Sequence, residues 1–146
     1  MKKYIFVASI IFLLAFALIF YENPSIKKRE LIKELTPLEC DLNKTSCNSF
    51  HKNKEVVFEF EPKPLKILKE TKIIIKNLPK TKDLNARLYG LNMYMGDIVS
   101  EFEMVGDNYE GYIVFSSCIE ATMRYRFELF SGDKSLGIYV DFDVEK

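Results

Sequence analysis

The stretch that decides the fold is MRYRFELFSGDKSLGIYVDFDV, which runs from Met123 to Val144. Apolar side chains occupy every second position on both sides of the turn sequence Ser131-Gly132-Asp133. Residues two apart in a strand project from the same face, so the pattern predicts two strands with one apolar face each. Serine, glycine and aspartate are typical of the turn between them.

Upstream of this stretch the same period-two pattern recurs, bounded by prolines, glycines and polar loops. About seven short strands separated by turns are typical of an immunoglobulin-type domain, so we predict a mainly β fold with a single immunoglobulin-like antiparallel β-sandwich. The charged residues Arg124, Arg126 and Glu128 alternate with apolar ones and are predicted on a solvated strand face. The seven predicted strands cover residues 55–61, 72–77, 84–91, 98–105, 109–115, 123–130 and 136–144.

The first 21 residues have the pattern of a membrane anchor. Met1-Lys2-Lys3 precede an uncharged apolar run from Tyr4 to Tyr21. As a helix this run would span about 27 Å, which is enough for a thin inner membrane, and the lysines predict a cytoplasmic N-terminus. The alternative is a cleavable signal. Its small-x-small sequence, Ala15-Phe16-Ala17, lies inside the run, which favours an uncleaved anchor.

These patterns predict four segments in a single-pass inner-membrane protein with its C-terminal domain in the periplasm. They are a transmembrane anchor (1–21), a stem helix (22–37), a cysteine loop (38–54) and the β-sandwich (55–146). The stem helix is predicted from apolar residues at 26, 31, 32 and 35, with Pro37 ending it.

Composition and motifs argue against several functions. The chain has 21 basic and 21 acidic residues, whereas nucleic-acid binding usually shows as a basic excess. It has no phosphate-binding loop, nucleophile elbow or metalloprotease helix. A nucleophile pair of Cys118 and His51 would lack a third group to orient it. We therefore predict no enzymatic activity, no catalytic residue and no organic cofactor.

Three cysteines follow the anchor, at positions 40, 47 and 118. In an oxidising compartment cysteines tend to pair, and the short spacing favours a Cys40–Cys47 disulfide. Its six-residue spacing differs from the C-x-x-C of thiol oxidoreductases. Cys118 is then left as a thiol or a ligand, although a bond from Cys118 to either of the others is the competing possibility.

The sulfur-containing residues suggest a soft-metal site. Met93 and Met95 are two apart, so they would present thioethers side by side, and thioethers suit Cu(I). Cys118 and Met123 lie in and after the connection between the fifth and sixth strands, and could converge with them. The alternative is that the methionines fill gaps in the core, which alternation favours for Met123. His51, the only histidine, is an outside candidate ligand.

Taken together, these features resemble a poorly characterised group of bacterial membrane-anchored periplasmic proteins, which is similar in turn to YtkA-like and CopC-like immunoglobulin-type domains. The similarity covers most of residues 38–131, and a Trp would be expected where Tyr125 stands. The matching pieces besides the anchor are Cys40-Asp41-Leu42 with Cys47, Pro62-Lys63-Pro64-Leu65, Gly90-Leu91-Asn92-Met93-Tyr94-Met95-Gly96, and Cys118 followed by Met123-Arg124-Tyr125.

The resemblance implies copper handling and a role in respiratory-oxidase assembly. Our first hypothesis is accordingly a membrane-tethered copper-binding or copper-delivery module. Its ligands would be Met93, Met95, Cys118 and Met123, with His51 as the outside candidate. The second hypothesis is a metal-free interaction or assembly domain of an envelope complex, which would bind a periplasmic protein partner through the stem helix and a sheet edge.

Overall fold

The structure is a computed structural model that describes Phe12, residues 29–51 and residues 53–146. Nine β-strands in two antiparallel sheets account for the regular structure from residue 29 onward. Within the described residues, no helix has the length and apolar character needed to cross a membrane. Apart from Phe12, the predicted anchor lies outside the described residues.

The two sheets follow an immunoglobulin-type order. Sheet 1 has the order β1-β2-β3-β7-β6, and sheet 2 has the order β5-β4-β8-β9. Without β1, this is the A-B-E-D sheet against a C-F-G sheet that carries one further edge strand, as in immunoglobulin domains. The strands are β1 (Cys47–His51), β2 (Lys54–Glu61), β3 (Glu70–Lys76), β4 (Leu84–Gly90), β5 (Asp97–Glu101), β6 (Glu103–Val105), β7 (Asn108–Val114), β8 (Thr122–Ser131) and β9 (Lys134–Glu145).

The predicted mainly β class is confirmed, and each of the seven predicted strands corresponds to observed strand structure. Two details differ. The cysteine loop contains an additional strand, β1, and the predicted strand 98–105 divides into β5 of sheet 2 and β6 of sheet 1. The division occurs at Phe102, whose ring packs on Gly111. A Cβ there would approach the ring to 2.8 Å, so this crossing between sheets requires a glycine.

The core between the sheets is a cluster of aromatic rings. Phe60 contacts Phe127 and Phe142, with ring centroids 5.4 and 5.2 Å apart in edge-to-face geometry. At one end of the cluster, Phe115 and Tyr125 also contact Phe142, at 5.7 and 6.0 Å. These rings are fully buried or nearly so. Edge-to-face pairs contribute about 0.5–1.5 kcal/mol beyond the area they bury, so this cluster strongly favours one alignment of the sheets.

The predicted disulfide between Cys40 and Cys47 is confirmed, with the two Cα atoms 5.8 Å apart. Cys47 opens β1 and is buried, and Leu42 inside the bridged loop is also buried in the core. Cys118 remains a free, partly buried thiol. The bridge therefore ties the segment that precedes the sandwich to the edge of sheet 1.

The stem-helix prediction is wrong for residues 29–37, the described part of that segment, which has no helix. Instead the segment lies along the end of sheet 2. The Ile32 amide donates to the Leu91 carbonyl at 2.8 Å, and Arg29 forms a two-point ion pair with Asp97. Short helices are marginal in water, so tertiary hydrogen bonds override a weak helical pattern.

Arg124 corrects the prediction of a solvated strand face, because it is only 4% exposed. Its guanidinium donates two hydrogen bonds to the Asp143 carboxylate, each 2.8 Å long, and a third to the Thr36 carbonyl at 2.6 Å. The covering segment could not be inferred from the alternation within β8. The buried charge is paired with the Asp143 carboxylate and also hydrogen-bonded to the Thr36 carbonyl. Such pairing is the condition for burying a charge without a large penalty.

Removal of the disulfide by Cys40→Ala with Cys47→Ala should lower the free energy of unfolding by about 2–3 kcal/mol, because a short cross-linked loop restricts the unfolded chain. Urea denaturation followed by circular dichroism measures the change. Cys118→Ala is the matched control, and we expect it to lower the free energy of unfolding by less than half as much as the double variant does. An equal loss in both variants, or a Cys118-containing linkage in non-reducing peptide mapping, would contradict the pairing.

Candidate soft-metal site at one end of the sandwich

Two connections meet at one end of the sandwich, residues 91–96 between β4 and β5 and residues 115–121 between β7 and β8. We call this region the sulfur end. The Leu91 amide donates to the Arg124 carbonyl at 2.8 Å. The Asn92 side chain then holds both sides, since it donates to the Thr122 carbonyl and accepts from the Arg124 amide, each at 2.9 Å. The Met93–Met95 loop is thereby fixed to the start of β8.

Gly90 explains how the loop folds so closely over Met123. Gly90 is buried opposite Tyr125 in the β4–β8 ladder. A Cβ at this position would collide with the Met93 carbonyl and come within 2.9 Å of the Met123 methyl carbon. Only glycine leaves this space. The close approach brings the backbone of Met93 next to the side chain of Met123.

The Tyr125 hydroxyl contacts both connections. It lies 3.2 Å from the Ser116 carbonyl and 3.9 Å from the Met95 sulfur. Burial, and secondarily the charge of an ionised Cys118, raises the pKa of Tyr125 to about 12. The phenol is therefore a protonated hydrogen-bond donor at neutral pH. A tyrosine near the start of this strand that bonds back to the preceding backbone is also typical of immunoglobulin-type sandwiches.

The sulfur atoms differ in accessibility. Met93, Met95 and Cys118 are partly buried and pack against the hydrophobic core from the two connections. Met123 is only 2% exposed, and it shares the inward face of β8 with Tyr125. In this arrangement Met123 packs in the core, as alternation favours, and the other three residues are partly exposed.

His51 does not join these residues. It pairs with Lys54 at the hairpin between β1 and β2. The other end of β2, at Glu61, lies beside the start of β3, which pairs with the end of β7 at Val114. The connection with Cys118 begins there. Eight residues of β2 separate the two ends, which is about 23 Å at the usual strand rise.

A thiol with two thioethers is a donor set that fits a soft ion such as Cu(I). Among the described residues, no group of three or more His, Cys, Asp or Glu side chains is placed to hold a metal. The candidate therefore depends on the thioethers of Met93 and Met95 together with Cys118. The carbonyl of Glu120, 3.8 Å from the Cys118 sulfur, is the acceptor near that thiol.

A cavity of about 770 Å³ lies beside Cys40 of the disulfide, and some of the polar side chains that line it interact with each other or with neighbouring strands. Asp41 pairs with Lys44, and Asp143 pairs with Arg124. The Asn43 side chain donates to the Asp143 carbonyl at 2.9 Å and accepts from the Leu65 amide at 3.0 Å. These interactions hold part of the cavity wall together. The Cys40 sulfur in this lining is in the disulfide, so the sulfur end remains the candidate site for a soft metal ion.

No protein-family model, curated protein or solved structure matches the chain. The immunoglobulin-type assignment therefore depends on the strand order and on Tyr125. The resemblance to YtkA-like and CopC-like domains stays a prediction from sequence motifs.

Tyr125→Phe should loosen the connection that carries Cys118, because it removes the hydrogen bond to the Ser116 carbonyl. We expect a loss of about 1 kcal/mol in the free energy of unfolding. Amide hydrogen exchange should also become faster in residues 116–122. Tyr112→Phe, at an exposed position of β7, is the matched control. Unchanged exchange in 116–122 would show that this hydroxyl does not position the connection.

Proposed function

We propose that the protein is a membrane-tethered periplasmic module that binds or delivers Cu(I) through Met93, Met95 and Cys118. One observation supports the proposal: the Tyr125 hydroxyl contacts both connections, 3.9 Å from the Met95 sulfur and 3.2 Å from the Ser116 carbonyl, and Met93, Met95 and Cys118 all pack against the core. The predicted anchor and the resemblance to copper-handling domains support it from the sequence.

The residues of the site suit exchange of an ion better than permanent retention. Thioether and thiolate sulfurs bind Cu(I) because both are soft donors. Met93 and Met95 have flexible side chains that can adjust around an ion, whereas Tyr125 and Met123 are buried in the core. A partly exposed site lets a partner's ligands approach before the first set is released. Delivery during respiratory-oxidase assembly is the role that the sequence resemblance implies.

A metal-free interaction domain is the second candidate, and a different surface favours it. The edge formed by β5, β6 and β7 exposes apolar side chains, and the Ser100 hydroxyl donates to the Tyr112 carbonyl to hold this edge together at 2.9 Å. Contiguous exposed apolar surface often marks a protein interface. An assembly factor of an envelope complex would use this edge. The exposed residues are Val99, Met104, Val105, Tyr112 and Val114.

Cu(I) titration against a competing chelator distinguishes the two functions. The copper proposal predicts one Cu(I) per chain in the wild type. Met93→Ala with Met95→Ala, or Cys118→Ser, should each weaken binding by tenfold or more, which is about 1.4 kcal/mol. Met104→Ala is the matched control because Met104 is an exposed methionine on β6, outside the sulfur end, and it should bind like the wild type.

Circular dichroism of each variant establishes that loss of binding is not loss of fold. A folded wild type that takes up no Cu(I), or an equal loss in Met104→Ala and in the double methionine variant, would reject the copper proposal. The interaction-domain candidate would then lead. It predicts instead that charged substitutions at Val99 and Tyr112 abolish complex formation in the envelope without altering the fold.

A further inference from the structure

We propose that the sulfur end faces the membrane and contacts the lipid surface through Leu31, Leu35, Tyr94 and Ile119. This inference depends on the tether in the proposed function, but not on copper binding. It assigns an orientation to the domain, and with it a lipid-contacting surface. Three observations carry it: the position where the chain enters the domain, the length of chain before that position, and the apolar side chains around it.

The chain enters the described domain at the sulfur end. Arg29 forms its two-point ion pair with Asp97, the first residue of β5, and its guanidinium carbon lies 3.6 Å from the centre of the Tyr89 ring. The Ile32 amide then binds the Leu91 carbonyl. These contacts fix the entry point next to the Met93–Met95 loop, whereas the hairpin with His51 lies at the opposite end of the sandwich.

The chain between the apolar run and this entry point is short. Only residues 22–28 separate Tyr21 from Arg29. Even fully extended, the path from Tyr21 to Arg29 spans at most about 28 Å. A strand as long as β8, with ten residues, covers about 33 Å. Arg29 therefore stays within about one domain length of the end of the apolar run, which favours an orientation with the sulfur end towards the bilayer.

The same end exposes apolar side chains that would be costly to leave in water. Ile119 is 82% exposed and Tyr94 is 65% exposed. Leu31 and Leu35 are also exposed, and they line a depression of about 650 Å³ together with Ile32, Lys33, Asn92 and residues 120–122. The depression thus joins the entry segment to both connections, and Tyr94 and Ile119 lie on those connections. Isoleucine and leucine favour the acyl boundary, and tyrosine favours the headgroup region.

The absence of tryptophan from the sequence allows a direct test, because each single-tryptophan variant reports one position. Full-length Ile119→Trp, Tyr94→Trp and Phe50→Trp are reconstituted into phosphatidylcholine–phosphatidylglycerol vesicles with acyl chains either plain or brominated. Phe50 is the matched control since it is an aromatic residue, 74% exposed, near the opposite end. Vesicle flotation is measured for each variant, and fluorescence is excited where tyrosine does not absorb.

All three variants should float with the vesicles. Bromination should reduce the fluorescence of Ile119→Trp about twofold, because interfacial side chains insert ~5–10 Å, to the depth of the acyl boundary. Tyr94→Trp should show a smaller reduction, and Phe50→Trp should show none. Flotation without quenching at position 119, or equal quenching at positions 50 and 119, would overturn the orientation and leave the tether in place. Failure to float would overturn the tether, and the inference with it.

Discussion

The aromatic cluster between the two sheets is the constraint on which the rest of the structure depends. Phe58, Phe60, Phe127 and Phe142 fit edge to face, and they leave little freedom in how the sheets align. Phe115 and Tyr125 extend this cluster to the sulfur end, where their ring centroids are 5.8 Å apart. The candidate site is therefore supported by the core itself.

Placing the site on the core has a functional consequence. Tyr125 packs with one face of its ring in the aromatic cluster, while its hydroxyl contacts Ser116 and the Met95 sulfur. The packed Tyr125 side chain keeps the average positions of the two connections fixed, and the methionine side chains can still rotate. This combination suits a module that must accept an ion quickly and release it to a partner.

A second set of interactions fixes the segment that precedes the sandwich. The disulfide, the hydrogen bond from Arg124 to the Thr36 carbonyl and the Arg29–Asp97 pair all hold residues 29–47 against the sheets. The entry segment thus becomes part of the domain and forms one wall of the sulfur end. If the domain is tethered as we propose, a partner would have to approach the sulfurs along the membrane surface.

Much of the fold could be predicted from the sequence because a half-buried strand records its environment locally. In β2 and β9 the buried residues are apolar and alternate along the strand, and β8 follows the same alternation except that Arg124 and Phe130 are buried as well. The features that were missed depend on distant residues. The strand β1 forms through pairing with β2, and residues 29–37 lie extended because Leu91, Asp97 and Arg124 hold them there.

The candidate site could likewise be predicted only in part from the sequence. Counting strands allowed the connections that carry Met93, Met95 and Cys118 to converge, and alternation favoured the buried position that Met123 has. The link through Tyr125 could not be predicted, because its hydroxyl contacts residues that are far apart in sequence. His51 was proposed from its chemistry alone, and its position at the other end depends on β1, a strand that the sequence pattern did not predict.

The most direct test of the central claim is X-ray absorption at the copper edge on the Cu(I)-loaded full-length protein. The account predicts a first shell of two or three sulfur atoms, at a distance of about 2.3 Å if Zn–S bonds are a guide. That shell should be lost in the variant with Met93→Ala, Met95→Ala and Cys118→Ser. A shell made mainly of nitrogen or oxygen, or a sulfur shell that persists in the triple variant, would contradict the claim that these residues form the site.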